Sequence, residues 1–366
     1  MGKQETKPFR VLSLDGGGMR GMYTLALMEG LAKLFNPDFY AANNHADLGK
    51  NFNLICGTST GSIIAAGLAY GMSCSQLEKI YTDECPKIFS HPRPFSKLGK
   101  LIWAIRFLFT PPADANYLRD IMEKTFGSMT LRDLHDKRDI AFMAATTEAV
   151  EFRPVIMRTP HREYGQLTAD ITVVDALMSS AAAPMFFPGY DRRKTNGPGR
   201  WFIDGGLWAN NPAMFALADA LHIADQNQPI EVISVGCCVN LERDQKDFKP
   251  PKNIPDWVCD PDIMEMVNTS QGYGGAMCTE LFAEALCKSG RNVKFLRLPE
   301  LGKHHTELSK IKIDDPRPAA MKKQRELALA DAKHIYDRVT SELENPDWKL
   351  LKDAFSNLQP VENNKS

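Results

Sequence analysis

The sequence predicts an α/β protein, with a mostly parallel central sheet covered by helices on both faces and helical additions toward the C-terminus. Two observations predict it. Short apolar runs alternate with longer amphipathic stretches along the chain, the pattern of repeated strand–helix units. Several of those runs are apolar at almost every position, too apolar for a sheet face left in water. The 366 residues suffice for one large domain with substantial additions.

In chain order, "FRVLSLD" reads as the first strand and leads into "GGGMRG", after which "MYTLALMEGLAKLF" reads as a helix. "FNLICG" is the second strand, followed by the helix-like "SIIAAGLAYG" and "CSQLEKIYTDECPKIF". "DIAFMAATT", "RWFIDGG", "IEVISVGCC" and "VKFLRLP" read as further strands, with "YLRDIMEKTFG" and "VVDALMSSAAA" as helices between them. Three segments depart from the alternation. "KLGKLIWAIRFLF", within residues 97–110, sets bulky apolar groups beside Lys97, Lys100 and Arg106. It suits either an interfacial lid or a buried helix of the α/β layer, with Pro111 and Pro112 ending it. Residues 240–262 are rich in charge and proline and read as an excursion from the core. From Pro316 a long charged helix follows, with Leu327, Ala330, Ile335, Val339 and Leu343 as its apolar stripe.

Composition excludes some classes. The chain is 43% hydrophobic and 24% charged with a formal net charge of -1. This gives no global reason to expect a nucleic-acid partner or an anionic surface. The start of the chain lacks the apolar core of a secretory signal, and no run reaches the roughly 20 apolar residues of a spanning helix; a cytoplasmic protein is expected. Eight cysteines without a C-x-x-C pair read as reduced thiols, with Cys56 and Cys237 inside apolar runs. His304-His305 has no Cys or carboxylate at ligand spacing, so no metal site is expected.

Gly16, Gly18 and Gly21 fit G-x-G-x-x-G after a strand, which admits a dinucleotide loop. That reading requires a second strand ending in an acidic residue about 20 residues on. "NPDFYAANNHADLGKN" is instead polar and turn-rich, so the requirement fails. Gly57-Thr58-Ser59-Thr60-Gly61 stands between a strand and a helix as a G-x-S-x-G nucleophile elbow. A serine capping a helix in a glycine turn is the alternative. With a nucleophile in place, Gly16, Gly17 and Gly18 read as an oxyanion hole, with Arg20 adding positive charge. A tight turn that merely needs glycine is the alternative there. No histidine occupies a glycine-bounded turn after a strand, whereas "RWFIDGG" ends a strand at Asp204 before Gly205 and Gly206. An aspartate in apolar surroundings gains basicity and can take the serine proton; capping a turn is its plainer role.

The ordered set "DGGGMRG", "GTSTG", "SSAAAPMFFP" and "DGGLWANNP" resembles the patatin-like phospholipase family over roughly residues 9–215. The resemblance implies a three-layer α/β/α fold, lipid acyl hydrolysis without a metal or catalytic cofactor, Ser59 as nucleophile, Asp204 as base and the Gly16–Gly18 loop as oxyanion hole. "PMFFPGY" would wall the acyl channel. The implied organisation is a catalytic domain over 9–315 and a helical extension over 316–358, with tails at 1–8 and 359–366. The overall length and the additions after residue 240 also resemble bacterial patatin-like effectors of anti-phage defence. That resemblance implies activation by a cyclic dinucleotide from a partner nucleotidyltransferase. It further implies membrane phospholipid as substrate and transient recruitment to the inner face of the membrane. A homo-oligomer is compatible with it. The rivals are a lipase without nucleotide control, an acyltransferase passing the Ser59 acyl group to an acceptor, and a nucleotide-binding module.

Overall fold

The computed structural model describes residues 6–91, 96–106, 111–161, 163–192, 200–237, 263–299, 311–342 and 344–362. The expected excursion at 240–262 lies outside these residues. All six expected strands form: β1 (Phe9–Leu14), β2 (Leu54–Thr58), β3 (Ala141–Glu148), β6 (Trp201–Asp204), β7 (Ile230–Val235) and β8 (Val293–Leu298). Two more join the sheet, β4 (Arg153–Arg158) and β5 (Tyr190–Asp191). The sequence hides β4 because it carries Pro154 and only Met157 is fully buried, as an edge strand in a hairpin with β3 allows.

The sheet runs β5-β6-β3-β2-β1-β7-β8, with β4 also paired to β3. β3, β2, β1, β7 and β8 are mutually parallel, whereas β4, β5 and β6 are antiparallel additions. The registers around β3 set the site. Leu54–Thr58 pairs with Ala141–Ala145, and Asp204–Phe202 pairs with Thr146–Glu148. Because β4 takes the other edge over Met143–Glu148, β2 and β6 lie end to end along one edge of β3.

Alternating strand residues build two apolar faces. Leu12, Leu14, Ile55, Phe142, Ile233 and Val235 face one layer of helices, among them α1 (Gly21–Phe35), α2 (Thr60–Tyr70), α3 (Cys74–Asp83), α5 (Ala115–Phe126) and α7 (Val173–Ser180). Phe9, Val11, Leu54, Cys56, Met143 and Val232 face α9 (Ala213–Ile223) and α10 (Ile263–Lys288) on the other. The arrangement is a three-layer α/β/α fold. Local signals place the helix starts: Ser73 and Gln76 close a capping box on α3, Thr130 and Asp133 close another on α6 (Leu131–Arg138), and Asp114 caps α5.

Helix α1 is buried from Gly21 to Ala32 because the sheet covers one side and α11 (Pro318–Ser341) the other. The two helices approach closely at Gly30, where a Cβ would stand 2.8 Å from the Ala332 Cβ. The Tyr23 hydroxyl donates to Asp331 in the same interface. The buried face of α11 therefore runs through Met321, Gln324, Ala328, Asp331, Ala332, Ile335 and Val339. Ile335 and Val339 are where the apolar stripe placed them, but Ala330 is exposed and Leu343 lies outside the described residues. The stripe is rotated because small and hydrogen-bonded side chains, not the largest apolar ones, meet α1. α12 (Pro346–Phe355) closes the same core through Trp348, Leu351 and Phe355. Beyond it, where a tail was expected, Gln359–Pro360 pairs with Ala46–Asp47, and Lys50 bridges to Glu362 at 2.6 Å.

Helix α4 (Lys97–Arg106) leaves Leu98 68% and Ile102 59% exposed, so the buried-helix alternative does not hold for that face. No helix among the described residues is long and apolar enough to cross a membrane. Replacing Ala332 by Leu forces a larger side chain against Gly30 and should cost about 1–3 kcal/mol. The expected readout is a lower urea midpoint at unchanged slope.

Candidate active site

The elbow is built from close contacts. β2 ends at Thr58, α2 begins at Thr60, and Ser59 stands between them at φ 54° and ψ -128°. A Cβ on Gly57 would lie 2.3 Å from the carbonyl of Gly61, and one on Gly61 would lie 2.5 Å from the Leu14 and Asp15 carbonyl oxygens. Only glycine at both positions lets the helix fold back this tightly over strands β2 and β1. Thr58 is fully buried, and its hydroxyl donates to the Ala209 carbonyl at 2.5 Å. The Ser59 N–H donates to Ser180 Oγ at 2.9 Å, and that hydroxyl donates onward to the Ala145 carbonyl at 2.6 Å. The strained serine is thus tied to α7 and β3, and the N-terminal end of α2 lies directly beside it.

Asp204 arrives from the other strand on the same edge of β3. It is 5% exposed, and the Gly206 N–H donates to its Oδ1 at 2.7 Å. Burial raises its carboxyl from the ordinary 3.8 to about 6, while hydrogen bonds from the Ser59 hydroxyl and the Gly206 N–H pull it partly back. Gly205 is required by approach: a Cβ there would lie 2.3 Å from the Ala145 carbonyl oxygen. Trp208 donates its Nε1–H to the Thr146 carbonyl at 3.0 Å, locking the short helix α8 (Gly206–Ala209) to the same strand.

Gly16, Gly17 and Gly18 all border the cavity that holds Ser59, Thr60 and Asp204. Their amides are not equivalent. The Gly16 N–H donates to the Asn210 carbonyl at 3.0 Å, and the Gly17 N–H reaches Thr60 Oγ1 at 3.3 Å. The Gly18 N–H, at φ 56°, has no partner among the described residues. Arg20, expected to add charge beside the oxyanion, does not line the cavity. It is 2% exposed and donates through Nε and Nη2 to the Ile311 carbonyl at 3.1 and 2.8 Å. Its place is structural: it holds the segment whose Ile313 and Asp314 border the cavity, while the Met19 N–H donates to the Ile313 carbonyl at 2.7 Å.

The cavity encloses about 890 Å³ including its open mouth. Beyond the polar end its lining is apolar, with Ile63, Ile80, Ile88, Leu118, Ile121 and Met122. Phe186 and Phe187 of "PMFFPGY" are part of that wall, whereas Met185 is exposed. No histidine lines it among the described residues. His161 lies elsewhere, hydrogen-bonded to Thr159 Oγ1 at 2.6 Å and to Asp219 at 3.1 Å.

Sequence reasoning missed four residues here. Asp15, at the end of β1, takes a bidentate ion pair from Arg297 on β8, whose Nη1 also donates to Ser234 Oγ at 2.7 Å. Burial raises the Asp15 carboxyl while Arg297 opposes the rise. A lone arginine inside the apolar run "VKFLRLP" was the available signal. Asn210 and Asn268 complete the polar end of the cavity. The first was visible in "WANNP"; the second, on α10, stood in no motif.

The family model for patatin-like phospholipases matches residues 12–217, the segment that carries Ser59, Asp204 and the glycine loop. A cGAMP-activated phospholipase of Escherichia coli (strain TW11681) is 33% identical over 214 residues, covering 57% of this chain and 55% of that protein. A cUMP-AMP-activated phospholipase of Escherichia coli is 30% identical over 234 residues, covering 62% and 64%. The chain therefore matches less than two thirds of the length of these curated relatives. Among solved structures, VipD from Legionella pneumophila aligns with 90% of this chain and 67% of that chain at a TM-score of 0.42 and 12% identity.

The backbone of Ser59 yields a test independent of turnover. A non-glycine residue in this conformation carries about 1–3 kcal/mol of strain. Ser59→Gly should therefore be more stable than Ser59→Ala by at least about 1 kcal/mol, read from paired urea unfolding curves. Equal stability would show that the elbow relaxes.

Proposed function

Because the chain belongs to the patatin-like phospholipase family, we propose that it is a serine lipid acyl hydrolase of the phospholipase A type, with Ser59 as nucleophile and Asp204 as general base. One observation carries the reading. A serine at a strained strand–helix turn shares an apolar cavity with a buried carboxyl raised to about 6. At neutral pH that carboxyl is ionised yet basic enough to take the serine proton.

In the proposed reaction Asp204 accepts the Ser59 proton as the oxygen attacks the ester carbonyl carbon. The Gly18 amide, joined by the Gly17 amide once it leaves the Thr60 hydroxyl, stabilises the oxyanion, helped by the first turn of α2. Gly16 holds the loop by its bond to Asn210 and is not itself the donor. The lysophospholipid leaves with the proton from Asp204, and water then releases the fatty acid. The acyl chain lies among the isoleucines and phenylalanines of the cavity. Residues 9–315 form the catalytic unit in this proposal, with 316–358 bracing α1 behind the glycine loop.

The relatives named for activation by cGAMP and cUMP-AMP support a cyclic dinucleotide as activator. A partner nucleotidyltransferase would supply it, in a cytoplasmic anti-phage role. The membrane is met at α4. Asp114 N–H donates to the Ile88 carbonyl at 3.0 Å and Ala113 N–H to the Phe186 carbonyl at 3.2 Å. The excursion that carries α4 thus leaves from Phe89 and returns to Ala113 at the cavity wall, and exposes Leu98 and Ile102 one turn apart.

Fatty-acid release from phospholipid vesicles, with and without a panel of cyclic dinucleotides, tests the whole reading. Activity that requires one nucleotide and vanishes in Ser59→Ala and Asp204→Asn supports dyad and switch together. Activity without any nucleotide keeps the lipase alone, and acyl transfer without free fatty acid favours the acyltransferase. Silence throughout, with Ser59 refusing a fluorophosphonate, overturns the hydrolase.

Two further outcomes are expected. Since the base works only when ionised, kcat/KM should fall about tenfold per pH unit below about 6 and level off above it. The double variant Leu98→Asp/Ile102→Asp should lose vesicle binding and vesicle hydrolysis at least tenfold. Its hydrolysis of a soluble short-chain ester should be unchanged. A parallel loss on the soluble ester would place α4 in catalysis and not at the membrane.

A further inference from the structure

Helix α10 lies outside the family-matched residues 12–217, yet it brings Asn268 into the cavity of Ser59 and Asp204. Gly206 shows how closely. A Cβ in place of its hydrogen would stand 2.8 Å from Asn268 Oδ1, 3.0 Å from Asp204 Oδ1 and 3.2 Å from Asn210 Oδ1. Three oxygens surround one point, no two of them more than about 6 Å apart.

The orientation of Asn210 is fixed by its Nδ2, which donates to the Gly16 carbonyl at 3.2 Å. Its Oδ1 and that of Asn268 are both buried, and neither receives a hydrogen bond among the described residues. The helix that delivers Asn268 is pressed into place by two glycines on the same face. A Cβ on Gly272 would lie 3.4 Å from Asp15 Oδ2, and one on Gly275 would lie 2.7 Å from the Asn211 carbonyl oxygen. Asn268 is therefore held against the turn that carries the base.

Buried acceptors without donors cost stability unless something donates to them. Two carboxamide oxygens and a carboxylate are acceptors only, so their natural occupant has two O–H groups and little volume. From this grouping, and resting on the hydrolase reading above, we propose that Asn268, together with Asn210, holds the water that hydrolyses the Ser59 acyl-enzyme. Much of the rest of the cavity is lined by isoleucine, leucine, methionine and phenylalanine, which offer water no partners; Thr60, Tyr81, Cys85 and Asp314 are its other polar side chains besides Ser59.

The step balances. One O–H of the water points to Asp204 and the other to a carboxamide oxygen, which turns an oxygen lone pair toward the acyl carbon. Asp204 takes the proton as the new C–O bond forms. The bond from the acyl carbon to Ser59 Oγ then breaks, and Ser59 Oγ recovers that proton from Asp204. One water is consumed and one fatty acid is released.

Acyl-enzyme decay measures this step directly. Enzyme in excess over a p-nitrophenyl acyl ester, with whichever cyclic dinucleotide supports turnover, is quenched in acid at intervals, and the acylated intact mass is followed. Asn268→Leu and Asn268→Ala should slow the decay about tenfold, while the rate of Ser59 labelling by a fluorophosphonate stays within about twofold of wild type. Decay at or above the wild-type rate overturns the inference. Labelling and decay that fall together also overturn it, since they mark a structural role for Asn268. A wild type that neither labels nor forms the acyl-enzyme overturns the hydrolase reading and this inference with it. A wild type that does both, beside unchanged variants, overturns this inference alone.

Discussion

One edge of β3 hydrogen-bonds two strands in succession, Leu54–Thr58 along Ala141–Ala145 and then Trp201–Asp204 along Thr146–Glu148. The first is parallel to β3 and ends at Ser59; the second is antiparallel and ends at Asp204. Two chain ends separated by about 145 residues of sequence are thereby delivered to adjacent positions on a single rigid ladder. Ser180 and Gly205 depend on the same strand, since one donates to the Ala145 carbonyl and the other packs against it. Side chains placed by paired backbone move less than side chains on loops, which is what the proposed dyad of Ser59 and Asp204 requires.

The apolar environment has two effects at once. Burial raises Asp204 to about 6, and in the proposed reaction the isoleucine and phenylalanine of the same cavity surround the acyl chain. A more polar cavity would lower the carboxyl toward 3.8 and weaken the base while losing affinity for the chain. A histidine base needs no such shift, because its ordinary value already lies near neutrality. In the proposed mechanism an aspartate base and an apolar channel therefore reinforce one another.

Legibility in the sequence followed the chemistry of each residue. Ser59, Asp204 and the paired glycines could be read because each sits at a strand end, where the apolar pattern breaks abruptly. Arg20 was misread because proximity in sequence to a glycine loop does not decide which way a side chain turns; the Ile311 carbonyl, almost 300 residues on, decides it. Gly16 borders the cavity where the glycine loop was expected, but the sequence could not show that its amide donates to the Asn210 carbonyl. On α11 the apolar stripe gave Ile335 and Val339 but also Ala330, because periodicity cannot anticipate that Asp331 would be buried against Tyr23. Asn268 carried no signal at all: a polar residue in a long helix acquires meaning only when the fold brings it to a cavity.

The contacts that shape the glycine loop extend beyond the segment shared with the family. Residues 12–217 contain Ser59, Asp204 and the contacts that fix these two side chains, yet parts that fix the glycine loop come later in the chain. Arg297 neutralises Asp15 at the root of the loop, and Ile311 and Ile313 take hydrogen bonds from Arg20 and Met19 at its far side. A Cβ on Gly18 would lie 2.3 Å from the Ile313 carbonyl oxygen, so loop and later segment share one tightly fitted surface. Buried Asp15 without Arg297 would face its full desolvation cost, and the Gly18 amide would lose the segment that shapes its surroundings. The geometry of the glycine loop is consequently a property of the whole α/β/α unit, set by contacts between the first loop of the chain and a stretch nearly 300 residues downstream.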